Sequence, residues 1–261
     1  MERWLNKTAV VTGASSGIGA AVAVALADAG VRVIGLCRRH QRVEVSLSNN
    51  LAFKCDITSA VQIAETFKWI DQTYGGVHIM INNAGVLHTG GITVNEYKRN
   101  EEELLMTFDT NVKGTVLCAR HASNSMIRHN IHGHIINVNS IAGHYIPMAP
   151  NFNVYPSTKH AVTAFTMGLL NELSYRKNST KVTSLSPGLV KTELGGISEL
   201  DSSLPTLQPE DVASAVLYVL GTPPHVNVGE KVFSYFCMKS QDIFFKVYLH
   251  LFTIYMYRFV E

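Results

Sequence analysis

The sequence has no CxxC pair and no HExxH, which removes the commonest zinc spacings and the thioredoxin-like redox motif. Its four cysteines, Cys37, Cys55, Cys118 and Cys237, are scattered. Three lie in apolar strand or helix context, where cysteine serves as a small buried hydrophobe, so a reducing compartment is expected. His88, His144 and His160 show no compact ligand spacing either, and no metal site is expected. Charge of one sign is scarce too. The formal net charge is +2, which gives nucleic acid no electrostatic claim as a partner. The short cluster Arg38, Arg39 and Arg42 reads instead as a local anion site. An uninterrupted membrane span is also missing: the apolar stretch 243–260 is broken by Lys246, His250 and Arg258. Residues 1–8 are charged and run straight into a strand, leaving no room for a signal peptide, so a cytoplasmic location is expected.

What is present is a hydrophobic content of 46% against 16% charged residues, in a 261-residue chain long enough for one domain with a substantial core. Apolar strands are read at 9–12, 31–37, 51–55, 78–81, 134–138 and 181–185. Between them, helices are read at 18–29, 59–73, 101–128 and 156–175, with another from about Pro209 to Leu220. Strands that are apolar almost throughout, alternating with helices, imply an α/β fold. The expected architecture is a Rossmann-like, doubly wound, mostly parallel sheet with helices on both faces.

The segment from Thr12 to Gly19 reads TGASSGIG and sits between a predicted strand and a predicted helix. Gly13 suits the tight turn, Gly17 a close ligand approach and Gly19 close helix packing, with free helix N–H groups facing a diphosphate. Ser15, Ser16 and Ile18 share that turn. The next strand ends at Cys37 with Arg38 and Arg39 following and no carboxylate. A carboxylate there accepts from a ribose 2′-hydroxyl, whereas a guanidinium pairs with a 2′-phosphate. The expected cofactor is therefore NADP, with Arg38 the first choice for the phosphate and Arg39 the second.

Tyr155 and Lys159 are four residues apart in a predicted helix and so share a face. A phenol with an ordinary pKa of about 10 is a poor base near neutrality, and a neighbouring ammonium should lower that value. Tyr155 would then exchange a proton with an alcohol or alkoxide. Ser140, just past the strand 134–138, is placed to bond the same oxygen. Pro156 fits an early helix position, where its missing N–H costs nothing.

Taken in order, Thr12-Gly-x-x-x-Gly-x-Gly19, Asn82-Asn-Ala-Gly85, Asn111, Ser140, Tyr155-x-x-x-Lys159 and Pro187-Gly188 resemble the single-domain short-chain dehydrogenase/reductase family. Within it, the resemblance is to insect farnesol dehydrogenase-like, NADP(H)-dependent enzymes. It implies Asn111, Ser140, Tyr155 and Lys159 as the catalytic set, with Asn111 holding a water in a proton relay and Lys159 also binding the nicotinamide ribose. It implies Asp56 and Ile57 beside the adenine, Asn83, Ala84 and Gly85 on the ribose and nicotinamide side, and Pro187, Gly188, Val190 and Thr192 near the carboxamide and diphosphate. It places a substrate-side loop at 189–207, and His144 either at the substrate entrance or as a structural or surface histidine. The implied partners are a small apolar alcohol or carbonyl substrate and further copies of the chain, as a homodimer or homotetramer.

The expected domain covers 1–231, followed at 232–261 by an atypical apolar, aromatic segment whose beginning can pair as a strand and whose remainder is suited to touching a membrane surface. The interval 39–56 is short for the family. Ile146, Met148, Leu189 and Leu194 are candidates to face an apolar substrate. The expected activity is alcohol–carbonyl interconversion, farnesol being one candidate. A steroid or general carbonyl reductase and a non-catalytic NADP(H)-binding scaffold are the alternatives.

Overall fold

The computed structural model describes residues 1–39, 51–88, 92, 101–146, 152–194 and 206–234. Seven strands form one sheet: β1 (Thr8–Thr12), β2 (Arg32–Cys37), β3 (Leu51–Lys54), β4 (Ile79–Asn82), β5 (His134–Val138), β6 (Lys181–Pro187) and β7 (Glu230–Phe233). They lie in the order β3-β2-β1-β4-β5-β6-β7, and every pairing is parallel. The strand order reverses between β1 and β4, opening a crevice at their C-terminal ends, where open α/β sheets bind ligands.

The helices are α1 (Gly17–Asp28), α2 (Ala60–Tyr74), α3 (Glu101–Phe108), α4 (Thr115–Arg128), α5 (Val154–Tyr175) and α6 (Pro209–Gly221). Strand residues alternate between two cores, as a period of two requires. Ala9 and Val11, Ile79 and Ile81, and Ile136 and Val138 pack on the α1/α6 side. Val10, Met80 and Ile135 pack on the opposite side with Ile63 and Phe67 of α2 and Cys118 and Ala122 of α4. Both faces are covered, so β1, β4, β5 and β6 are buried throughout, while the edge strands β3 and β7 are partly exposed. Cys37, Cys55 and Cys118 are free and buried, as their apolar context suggests.

Local chemistry sets the helix ends. Ser59 accepts from the Gln62 amide to start α2, and Gly75, at φ 69°, ends it in the left-handed conformation. Gln208 and Asp211 form a capping box around Pro209 at the start of α6. The helix read at 101–128 is two helices joined by a π-turn, Asp109–Gly114. Here α4 starts flush against the Asp56–Ile57 segment, since a Cβ on Gly114 would come within 2.7 Å of Ile57 Cδ1. Helix α5 starts two residues earlier than its pattern suggests, which puts Tyr155 in its first turn. Pro156 is then the third helical residue, still within the turn whose N–H groups lack helical partners.

The sheet continues past residue 231, because Val232 and Phe233 pair with Ser186 and Pro187. The rest of the aromatic segment, with Cys237, lies outside the described residues, as do Arg42 and Met148. Among the described residues no helix is long and apolar enough to cross a membrane, and no group of three or more His, Cys, Asp or Glu could hold a metal ion.

Candidate active site

Construction of the site begins at the end of β1. Thr12 Oγ1 accepts from the backbone amides of Asn83 and Ala84, both at 3.0 Å, and so joins the end of β1 to the segment after β4. Asn83 Nδ2 returns the tie by donating to the carbonyl oxygens of Thr12 (3.0 Å) and Gly13 (3.4 Å). Gly13 takes φ 67° with Ala84 packed beneath it, and a Cβ on Gly19 would overlap both the Gly13 carbonyl and the Asn83 amide. The Asn83 side chain thus holds the glycine turn instead of projecting toward a ligand. Asn82 is structural, donating to Asn137 Oδ1 across the β4–β5 pair at 2.8 Å.

The turn leads into α1, which has no acidic residue in its first turn and no side-chain cap from Ser16. That leaves an uncapped, partially positive helix end beside Gly13 and Gly17, which fits the diphosphate of a dinucleotide. Ser15 lies beside the Cys37 thiol at the end of β2. Ile18 packs against the α1/α6 core.

On the far side of β4, Gly85 approaches Asn111, whose side chain is buried and hydrogen-bonded through both its oxygen and its nitrogen. Its Oδ1 accepts from Val86 N at 2.8 Å, and its Nδ2 donates to Val86 O (2.9 Å) and Thr158 Oγ1 (3.1 Å). Thr158 in turn donates to the Tyr155 carbonyl at 2.7 Å. A continuous chain of contacts therefore runs from the glycine turn through Ala84, Gly85 and Asn111 to the first turn of α5. Both Nδ2 hydrogens of Asn111 are committed, while Oδ1 keeps a second lone pair. Thr158 is the residue the sequence reading missed; its position between Tyr155 and Lys159 was the available signal.

Ser140 ends the segment after β5 and caps a short 3-10 turn (Ile141–Gly143), its Oγ accepting from Ala142 N at 3.1 Å. The Ser140 hydroxyl lies close enough to the Tyr155 phenol to favour its ionised form. Lys159 stands 5.6 Å from the Tyr155 ring centroid and donates to Val138 O at 3.0 Å. Ser140, Tyr155 and Lys159 are thus brought together at the C-terminal end of β5.

The expected electrostatics of that cluster need correction. Burial pushes the Tyr155 phenol up to about 12, with only Ser140 pulling it down, and burial pushes the Lys159 ammonium down to about 8. The Lys159 ammonium bonds a backbone carbonyl, and desolvation disfavours both charged forms.

The remaining positions form the rim. Asp56 Oδ1 accepts from Thr58 N and Oγ1, both at 2.9 Å, which leaves its second oxygen for another partner, and Ile57 is buried against Gly114. Arg38 and Arg39 are exposed, and Arg39 reaches to 3.9 Å from Glu193 beyond β6. Pro187 pairs with Phe233, and Gly188 N donates to Phe233 O at 2.7 Å. Val190 bridges to Leu207, while the Thr192 methyl packs on Gly17. The segment after β6 therefore closes over the glycine turn. Leu189 and Leu194 are half-buried there, whereas Ile146 is 60% exposed. His160 is turned outward and bonds Pro156 O, and His88 bonds Thr107.

Residues 7–201 match the family described as short chain dehydrogenase. The chain belongs to that family. It is an oxidoreductase of the short-chain dehydrogenase type, as the ordered motifs imply. It is 46% identical over 239 residues to farnesol dehydrogenase from Aedes aegypti, covering 88% of this chain and 96% of the relative. It is 38% identical over 249 residues to dehydrogenase/reductase SDR family member 11 from Mus musculus, covering 88% and 94%. Among solved structures, the closed form of a serine dehydrogenase complexed with NADP+ superposes with a TM-score of 0.78 at 29% identity, covering 90% of this chain and 99% of that one.

Proposed function

We propose that this short-chain dehydrogenase interconverts an apolar alcohol, with farnesol the leading candidate, and its carbonyl, using NADP(H). The observation that carries this reading is the gathering of Ser140, Tyr155 and Lys159, with Lys159 Nζ 5.6 Å from the Tyr155 ring centroid, at the sheet end next to the glycine turn. NADP(H), when bound, would supply the hydride chemistry. Gly13, Ser15, Ser16, Gly17, Ile18 and Gly19 would hold its diphosphate, Arg38 or Arg39 its 2′-phosphate, Asp56 and Ile57 its adenine, and Ala84, Gly85, Val190 and Thr192 its nicotinamide half. Tyr155 donates its proton to the substrate oxygen during reduction and withdraws it during oxidation, while Ser140 bonds the same oxygen. The buried phenol is neutral at physiological pH, which is the donating form. Leu189 and Leu194 offer apolar contact to the substrate chain.

The substrate reading follows the likeness to the Aedes farnesol dehydrogenase, and the cofactor reading follows the arginines at the end of β2 and the NADP+ complex of the serine dehydrogenase. Leu105, Met106 and Phe108 on α3 and Met167 on α5 are exposed apolar residues, which supports assembly of copies through these helices.

The deciding experiment follows NADPH absorbance for purified protein with farnesol, farnesal, steroids and simple carbonyls. Farnesol or farnesal should turn over with NADP(H) faster than with NAD(H). Cofactor binding without turnover of any of them would favour the scaffold alternative. Arg38→Glu should weaken NADP(H) binding by roughly 10- to 100-fold, the worth of a charge-assisted hydrogen bond, and leave NAD(H) almost unchanged. Equal losses for both cofactors would rule out a phosphate contact.

A further inference from the structure

A second polar cluster lies beside the site, across the ends of β6 and β7. Ser186, fully buried on β6, donates through Oγ to Glu230 Oε1 on β7 at 2.7 Å. A hydroxyl has one hydrogen and a carboxylate has none to give, so the Ser186 oxygen must accept in its other contact. That contact is His144 Nε2 at 3.0 Å, so His144 carries its proton on Nε2. The same Nε2 lies 3.5 Å from Glu230 Oε1.

His144 closes the 3-10 turn that Ser140 opens. Inside the turn, Gly143 N donates to Ser140 O, and His144 N and Tyr145 N both donate to Ile141 O. The middle of the turn is fastened to α5, because Thr163 Oγ1 donates to Gly143 O at 3.0 Å and Gly143 packs on the Lys159 carbonyl. At its far end, the imidazole is the side chain that joins the turn to the sheet.

We infer that His144 is a positioning residue: its Nε2–H, received by Ser186 and backed by Glu230, sets the turn that aims the Ser140 hydroxyl at Tyr155. Its effect on turnover rests on the proposed alcohol–carbonyl reading, but its effect on the turn does not. Sequence spacing hid the cluster, since Ser186 is 42 residues from His144 and Glu230 a further 44 from Ser186.

The test compares wild type, His144→Leu and His144→Gln. Glutamine keeps an N–H donor near the position of Nε2, whereas leucine keeps only bulk. Hydrogen exchange of the 142–145 amides should quicken about tenfold in His144→Leu, as expected for a lost buried hydrogen bond, and stay near wild type in His144→Gln. With farnesol and NADP+, kcat should fall about tenfold in His144→Leu and recover to within threefold in His144→Gln, with KM for NADP+ unchanged. Exchange unaltered by leucine, or raised equally by glutamine, would overturn the inference. Wild type that turns over none of the substrates fails the activity reading alone, because the exchange arm still decides the role of His144. A kcat untouched by leucine, in an active enzyme with a loosened turn, would overturn the link from the turn to Ser140.

Discussion

Tyr155→Phe should lower kcat for alcohol oxidation and carbonyl reduction by about 1000-fold while leaving NADPH affinity within a few-fold of wild type. The change removes one oxygen from a side chain 9% exposed and held in the first turn of α5, so the backbone and the neighbouring cores have no reason to move. It removes the one group placed between Ser140 and Lys159 that can carry a proton to the substrate oxygen. Positioned proton transfer contributes 10²- to 10⁴-fold, and a 1000-fold loss corresponds to about 4 kcal/mol of barrier. Because burial holds the phenol near 12, little of the proton-accepting phenolate is present near neutrality, so the oxidation rate should climb as pH is raised towards the stability limit. Steady-state rates in both directions, with NADPH binding followed by fluorescence, check both statements. A phenylalanine variant within tenfold of wild type would remove Tyr155 from the chemistry.

Acid should destabilise the fold through His134, by as much as roughly 5 kcal/mol. The side chain sits in the middle of the sheet with no exposed surface. Thr183 Oγ1 donates to Val228 O at 2.6 Å and so must accept from His134 Nε2–H, at 2.8 Å. Nδ1 is then left buried as a lone pair without a partner among the described residues. Burial, with smaller contributions from Lys181 and Arg3, pushes the imidazole down to about 3 from an ordinary 6.5. The folded state therefore binds fewer protons than the unfolded one between those values. Its stability from this group is complete above about pH 6.5 and drains away as pH falls towards 3. The ceiling is the difference between the two values at about 1.4 kcal/mol per pH unit. Urea unfolding of wild type and His134→Asn between pH 7 and pH 4 tests this. Wild type should lose several kcal/mol more than the variant over that range. Parallel curves would show that the buried imidazole titrates normally.

Much of the fold could be read in advance because its signals are local. Apolar strands separated by helices announced a parallel sheet, and the strand read at 134–138 has the same limits in the structure. The glycine turn was legible because positive φ at Gly13 and the missing Cβ of Gly19 are backbone requirements that only glycine meets. The π-turn at Asp109–Gly114 was not legible. It ends where Gly114 packs against Ile57, more than fifty residues away in sequence, a contact that local propensity does not announce. The same holds for the side-chain roles of Asn83 and Asn111. An amide can face a ligand or bond a neighbouring backbone, and only the packed arrangement of β1, β4 and the π-turn selects the second.

The amino-acid order alone determined the strand–helix alternation, the glycine turn, the arginines at the end of β2 and the presence of the Ser140, Tyr155 and Lys159 side chains, because each depends on residue type and near-neighbour spacing. Tertiary structure alone decided that the Lys159 ammonium bonds Val138 O, that burial raises the phenol, and that Ser186 and Glu230 meet His144. Desolvation and long-range hydrogen bonding depend on what surrounds a group in three dimensions, and spacing along a chain carries no measure of either.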